Sequence, residues 1–148
     1  MNIVYAEMKH LEGLVPLFDL YRQFYECKPD PNAALKYLKA RMENKESDIF
    51  VALEEGNYYG FVQLYPSFCS IDAGKIYILH DLFVDAGCRK KGYGEALMNR
   101  ATDWAKENDA VRLDLTTEHT NKAGQHLYEK LGYQKSLLGY YSYSLDVT

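Results

Sequence analysis

The spacing of apolar residues predicts an alternation of strands and helices. Apolar and polar residues alternate over residues 3–7, as in a short strand. From residue 11 to residue 25 the apolar positions recur three or four apart, which predicts a helix. A second helix is expected from Pro31, with Asp30 as its N-cap. Its predicted inner face consists of Leu35, Leu38 and Met42.

The middle of the chain predicts a hairpin that leads into a central strand. Residues 48–53 and 58–64 are rich in strand formers, and the turn sequence Glu55-Gly56-Asn57 joins them. Residues 66–74 are expected to be irregular. An almost continuous apolar run over residues 76–84 then indicates a strand that is covered on both faces.

The second half predicts a crossover connection. Four apolar residues at helical spacing follow the central strand: Tyr93, Leu97, Ala101 and Trp104. Apolar and polar residues alternate again over residues 111–115, which indicates another strand. A strand, a helix and a strand in this order predict two parallel strands.

The end of the chain predicts one more helix and a pair of strands. Asn121 is expected to cap the helix, and Gly132 is expected to end it in a left-handed conformation. Residues 133–146 are rich in tyrosine and leucine and are interpreted as a final pair of strands. A single domain is expected over residues 1–148, a length that suits one sizeable core.

Composition narrows the classes of function. A net charge of -4 argues against nucleic acid or an anionic membrane as the partner. The apolar runs are too short to span a bilayer and no signal peptide is evident, so a soluble, cytoplasmic protein is expected. The three cysteines show no C-x-x-C spacing, which predicts free thiols, and no metal site is predicted. The oligomeric state is left open, with a homodimer as one alternative.

A basic, glycine-containing turn lies between the central strand and the helix that follows. It consists of Arg89, Lys90, Lys91, Gly92, Tyr93 and Gly94. The first N–H groups of a helix lack partners within the helix, and the macrodipole adds about half a positive charge there. Such a turn could hold a phosphate. It could equally be a tight turn whose cations are simply solvated.

Two motifs together resemble the GNAT superfamily of N-acetyltransferases. One is Arg89-x-x-Gly92-x-Gly94 after a strand that ends in Asp-Leu-Phe-Val, and the other ends in Leu-Tyr-Glu-Lys-Leu-Gly-Tyr at Tyr133. The resemblance covers essentially the whole chain. It implies an α/β (α+β) fold with a mixed, twisted sheet of six or seven strands and about four helices. Two central parallel strands would splay apart around acetyl-CoA.

The resemblance also implies which residues contact the cofactor. Backbone N–H groups of residues 89–94 would take the CoA diphosphate, residues 82–84 would bind the pantetheine, and Asn121 would contact its other side. The expected cofactor-binding residues are therefore Leu82, Phe83, Val84, Arg89, Lys90, Lys91, Gly92, Tyr93, Gly94 and Asn121. Many relatives carry glycine at the position of Lys90 and alanine at that of Gly124. The change at Gly124 is expected only to loosen the helix, by roughly 1 kcal/mol.

Candidate catalytic residues follow from the needs of acyl transfer to an amine. An alkylammonium has a pKa of about 10.4 and must lose a proton before it attacks. Tyr128 matches the family tyrosine near the thioester sulfur and is the expected acid, although its alternative is an ordinary buried aromatic residue. His80 is a candidate base, since histidine titrates near neutrality. Its alternatives are a core histidine, a histidine that faces away from the acceptor, or a base role for Asp81 or water.

The acceptor is expected to be cationic. Strand alternation places His80 and Asp81 on opposite faces, and the sequence does not decide which of them faces the acceptor. Asp81 and Tyr25 are expected to bind the amine by charge and cation–π attraction.

The predicted function is transfer of an acetyl group from acetyl-CoA to a primary amine of a small molecule or peptide, by direct attack in a ternary complex. The alternative is a non-catalytic acyl-CoA-binding or protein-interaction module on the same fold. The identity of the amine and a preference for another acyl-CoA are left open.

Overall fold

The computed structural model describes residues 1–136 and 141–148. Its strands are β1 (Ile3–Tyr5), β2 (Asp48–Glu54), β3 (Asn57–Cys69), β4 (Gly74–Val84) and β5 (Arg112–Asp114). Its α-helices are α1 (Leu11–Phe24), α2 (Pro31–Glu43), α3 (Tyr93–Glu107) and α4 (Lys122–Lys130). Short 3-10 helices lie at Met8–His10 and Ala86–Cys88. The backbone forms two compact units, Met1–Thr116 and Thr117–Thr148.

The first unit contains a mixed sheet with the strand order β1-β2-β3-β4-β5. The first three pairs of neighbours are antiparallel, whereas β4 and β5 are parallel and are connected through α3. This arrangement confirms the α/β class, the hairpin and the predicted crossover. The four α-helices also agree with the prediction. The sheet has five strands in the described part of the chain, fewer than the six or seven expected.

Both faces of the sheet are covered, as the apolar run in β4 predicted. On one face, Val51, Phe61 and Phe83 pack against α1 and α2 in a buried cluster that includes Leu14 and Leu38. The opposite face meets α3, where the ring of Trp104 lies 5.5 Å from that of Phe50. Burial of these apolar side chains is the main force that holds helices and sheet together.

The inner face of α2 differs from the prediction by one position. Ala34 and Leu38 are fully buried and Met42 packs at the edge of the core, but Leu35 is 41% exposed. The prediction for Leu35 was therefore wrong. The small Ala34 side chain lies against the core instead, and residues four apart define this helix face.

The hairpin of β3 and β4 is longer than expected. Residues 66–74 were predicted to be irregular, yet Pro66 pairs with Tyr77 and β3 continues to Cys69. Pairing with β2 ends at Leu64, so at Pro66 the strand has β4 as its neighbour and no partner in β2. A strand tolerates proline where one of its sides is free.

The predicted strands in the tail are absent from its described residues. Residues 133–136 and 141–148 belong to no strand, and residues 137–140 lie outside the described part. Four apolar side chains alternate along this tail and are 85–90% exposed: Tyr141, Tyr143, Leu145 and Val147. The alternation resembles that of a strand, but no neighbouring strand is paired with it among the described residues.

No helix within residues 1–136 and 141–148 has the length and apolar character that crossing a membrane requires.

Candidate active site

A β-bulge in β4 brings His80 and Asp81 together. Gln63 pairs with Asp81 and Leu64 pairs with Leu79, so His80 has no opposite residue on β3. His80 Nδ1 lies 3.1 Å from Asp81 Oδ1, and both side chains line the same pocket. The prediction that the two residues lie on opposite faces was wrong, because the bulge breaks the strand alternation on which it depended.

A buried hydrogen-bond chain holds Asp81. Its side chain is 6% exposed, and its Oδ2 accepts a 2.5 Å hydrogen bond from Gln63 Nε2. Gln63 Oε1 in turn accepts a 2.8 Å hydrogen bond from Ser47 Oγ. The His80 side chain is 64% exposed and is therefore accessible. Gln63 was not among the predicted site residues, although a glutamine between Val62 and Leu64 was a visible signal, since a buried amide needs a partner.

The pocket beside this pair has a volume of about 390 Å³. It is lined by Phe18, Arg22, Ala33, Tyr37, Tyr65, His80 and Asp81. The rings of Phe18 and Tyr37 stack 5.6 Å apart, and the hydroxyls of Tyr37 and Tyr65 are 2.6 Å apart. Aromatic walls with one buried carboxylate suit a cationic amine.

Tyr25, a predicted acceptor contact, is not among the residues that line this pocket. It directly follows α1, is about half exposed, and its ring lies 5.2 Å from that of Tyr21. The Tyr21 hydroxyl donates a 3.4 Å hydrogen bond to the backbone oxygen of His80. Tyr21 therefore links α1 to the bulge, and Tyr25 packs behind it.

Two phenols near Asp81 are held in their neutral form. Burial, and next the charge of Asp81, raise the pKa of Tyr21 well above its ordinary value. Burial, the hydrogen bond with Tyr37 and the charge of Asp81 likewise raise the pKa of Tyr65. At neutral pH these tyrosines can donate hydrogen bonds, but they are not bases.

The pairing of the parallel strands β4 and β5 ends before the pocket residues His80 and Asp81. Residues Ile76 to Ile78 of β4 pair with β5, and the last pair is Ile78 with Asp114. Beyond it, Leu82, Phe83 and Val84 pair with β3 on one side, and no strand in the described part of the chain pairs with their other side. This edge offers backbone hydrogen-bonding groups to an extended ligand.

The basic turn leads from that edge into α3. Arg89 Nε donates a 3.0 Å hydrogen bond to the Val84 backbone oxygen, which ties the turn to the end of β4. Gly92 is the N-cap of α3 with a φ of 87°, and the first hydrogen bond of the helix runs from Ala96 N–H to Gly92 O. Arg89, Lys90 and Lys91 are exposed. The turn therefore fits a diphosphate, with cations beside the first N–H groups of a long helix.

Lys90 has a φ of 62°, in the left-handed region. Glycine adopts this region without strain, whereas other residues pay roughly 1–2 kcal/mol there. This conformation is the one that glycine adopts most readily, so it agrees with the glycine that the family resemblance led us to expect here.

The second unit contains α4. Asn121 caps the helix, because its Oδ1 accepts a 3.1 Å hydrogen bond from Gly124 N–H. A Cβ at position 124 would lie 2.8 Å from Asn121 Cγ, so the glycine makes room for the cap. The expectation that this glycine only loosens the helix was therefore wrong. Gly132 has a φ of 95° and follows the helix as predicted. Tyr128 is partly buried, with its ring 6.2 Å from that of Tyr133.

The pocket and the basic turn flank one strand, an arrangement suited to group transfer from a phosphate-bearing donor, and comparison with known proteins shows that the chain is an acetyltransferase. Residues 14–133 match the model of the acetyltransferase (GNAT) family. The chain belongs to this family.

Three similar proteins span most or all of the chain. An N-acetyltransferase of Bacillus subtilis strain 168, YhfO, described as uncharacterized, is 45% identical over 147 residues, which are 99% of this chain and 98% of that protein. A "probable acetyltransferase" of Haemophilus influenzae is 33% identical over 114 residues, 76% of this chain and 78% of that protein. The crystal structure of a "probable acetyltransferase" matches with a TM-score of 0.92 at 37% identity, over 100% of this chain and 99% of that one.

Proposed function

We propose that the protein is an acetyl-CoA-dependent N-acetyltransferase that acetylates a primary amine by direct attack in a ternary complex. The observation that carries this proposal is the contact of the accessible His80 with the buried Asp81 at an aromatic pocket. Acetyl-CoA, when bound, supplies the acetyl group as an activated thioester. A small-molecule or peptide amine is the acceptor.

The cofactor is proposed to lie along β4 and the basic turn. The first N–H groups of α3 and the cations of residues 89–91 would hold its diphosphate. The free edge of Leu82, Phe83 and Val84 would hydrogen-bond its pantetheine arm. Asn121 is proposed to contact the cofactor as the family resemblance implies.

Asp81 and His80 are proposed to bind and deprotonate the amine. An ammonium ion is attracted to the Asp81 carboxylate, which is fixed by Gln63. When His80 Nδ1–H donates to Asp81, the Nε2 atom of the same ring is the proton acceptor. Asp81 would thus bind the amine and also stabilise the His80 tautomer that has its proton on Nδ1 and a free lone pair on Nε2.

Tyr128 is proposed to protonate the departing thiolate. Loss of its hydroxyl in Tyr128→Phe is expected to lower kcat by about 10²–10⁴-fold, the usual scale of general acid catalysis. The cofactor affinity should change little, because the ring remains. A variant with a normal kcat would contradict the acid role.

The experiment incubates the purified protein with acetyl-CoA and a panel of primary amines, and detects acetylated products by mass spectrometry. Product detection is preferable to a thiol reagent, because Cys27, Cys69 and Cys88 are free thiols and would react with the reagent themselves. Tertiary amines of similar size serve as the matched control. Acetyl-CoA binding without any product across a broad panel would contradict the proposal and favour the non-catalytic module.

A further inference from the structure

The pocket is lined by a cation, Arg22 of α1, for which the described residues of the chain supply no ion pair with a carboxylate. Its Nη1 atom is buried and has no hydrogen-bond partner among those residues. A buried donor without a partner is costly, so a group that accepts from it would be bound favourably.

The nearest acidic residue on the same helix does not meet this need. Asp19, three positions earlier, accepts a 2.9 Å hydrogen bond from Asp30 N–H with one oxygen and a 3.1 Å bond from Gln23 Nε2 with the other. This carboxylate caps the connection to α2. Within the described part of the chain, the guanidinium group is therefore left without a carboxylate partner from its own helix.

The lining thus presents one group of each sign. Asp81 supplies a buried carboxylate, and Arg22 supplies a guanidinium group whose planar fork matches a carboxylate. Tyr37 and Tyr65 lie in the same lining, and because their hydroxyls share one hydrogen bond, one of the two O–H groups is left as a further donor. The volume of about 390 Å³ is near the lower end for ligand pockets, which favours a small acceptor.

We infer that the acceptor carries a carboxylate as well as its amine, as a free amino acid does. The amine lies toward Asp81 and His80, and the carboxylate is bound by Arg22. This inference rests on the proposed function and narrows it to a small zwitterionic acceptor. The amino terminus of a peptide fits less well, because its nearest carboxyl group is an uncharged amide.

The test compares each of the twenty standard amino acids with its carboxamide. Binding is measured by calorimetry with the CoA-saturated protein, and kcat/KM is measured for each acetylated member. The wild-type protein should bind at least one amino acid roughly 10- to 100-fold more tightly than the corresponding amide. A difference of this size corresponds to a hydrogen bond to a charged group. Arg22→Gln should remove that preference by raising KM for the acid and leaving KM for the amide unchanged.

Two further variants sharpen the comparison. Arg22→Lys retains the charge but loses the fork, so it should retain part of the preference. Arg100→Gln is the matched control, because Arg100 pairs with Glu107 and is not among the pocket's lining residues. The preference should survive in that variant.

The outcomes separate the two proposals. Equal binding of acids and amides by the wild-type protein, or an unchanged preference in folded Arg22→Gln, overturns the inference. No detectable binding of any amino acid at millimolar concentration also overturns it. A third outcome is that calorimetry shows tighter binding of an amino acid than of its amide, but no amine is acetylated. That outcome would contradict the proposed enzyme activity and still support the carboxylate site.

Discussion

Among single residues, the contact between His80 Nδ1 and Asp81 Oδ1 is the feature on which the proposed chemistry depends. Both were candidates because of their chemistry and their place before Leu82. Their contact depends on a bulge, and a bulge arises from the pairing of β4 with a distant strand. Arg22 was not a candidate at all, because a single arginine near the end of an amphipathic helix is usually solvated. Only packing reveals that one of its nitrogens is buried without a partner.

The proposed base makes a prediction about pH. If His80 accepts the proton, the profile of kcat/KM against pH should have an ascending limb that depends on His80, because only the neutral imidazole can accept a proton. Tyr21 and Tyr65 do not account for such a limb, since burial and Asp81 raise the pKa of each phenol. His80→Ala should remove the limb and lower kcat by about 10²–10⁴-fold. The measurement is a pH profile of kcat/KM on one identified acceptor.

Asp81→Asn separates positioning from base chemistry. The asparagine amide can donate to His80 Nδ1, which favours the tautomer with a proton on Nε2. We expect kcat to fall and KM for the amine to rise, because the ring and the ammonium ion both lose the carboxylate.

If the ascending limb of the pH profile survives in His80→Ala, water is the base and His80 is not.

At the scale of elements, the sequence predicted the junction of β4 and α3 well. Glycines, cations and helical spacing are local signals, and the helix begins at Tyr93 with Gly92 as its N-cap. The extension of β3 to Cys69 was missed, because local composition around Pro66 argued against a strand. The length of that hairpin is set by cross-strand pairing, which the pattern of one strand does not specify.

The basic turn predicts a specific loss of CoA binding in Gly92→Ala. Among the described residues, a Cβ at position 92 would meet only Met1 Cε, at 3.7 Å, so this part of the fold has room for it. The positive φ adds strain of roughly 1–2 kcal/mol, and relief of that strain would turn N–H groups away from the diphosphate. We therefore expect a much weaker CoA affinity by calorimetry together with a small decrease in Tm.

Gly56→Ala is the matched control for this variant. Gly56 lies in the turn between β2 and β3 with a φ of 79°, and a Cβ added to it would have no neighbour within 4 Å in residues 1–136 and 141–148. It carries the same backbone strain far along the chain from the basic turn. Its Tm should fall similarly while CoA affinity is unchanged. An unaltered affinity in folded Gly92→Ala would show that the diphosphate is held elsewhere.

At the scale of the whole molecule, element order and class were predictable and the tail was not. The α/β class follows from helix and strand periodicities that persist over long segments, and the parallel pair follows from the crossover. The tail repeats the strand period at Tyr141 and Tyr143, but its described residues form no strand. A period of two shows that a segment could be a strand, and pairing decides whether it is one.

The stability of the protein at alkaline pH is expected to depend on three tyrosines in the sheet and α1. Tyr5 is 42% exposed, and its partial burial, followed by its 2.8 Å hydrogen bond to Asp48, raises its pKa. The pKa values of Tyr21 and Tyr65 are raised as well. The folded state therefore favours neutral phenols more than the unfolded chain does, where tyrosine titrates near pH 10. This contribution to stability is complete below about pH 10 and is lost as the pH rises further.

We accordingly expect Tm to fall steeply above about pH 10, with tyrosinate absorbance rising together with unfolding. Fluorescence of Trp104, the single tryptophan, reports the unfolding. Tyr5→Phe removes one of the three phenols without touching the pocket lining, so its Tm should decline less with pH. Tyr143→Phe, at an exposed position, is the control and should follow the wild-type curve. A wild-type Tm that stays level up to about pH 11 would show that ionisation of these phenols is not linked to folding.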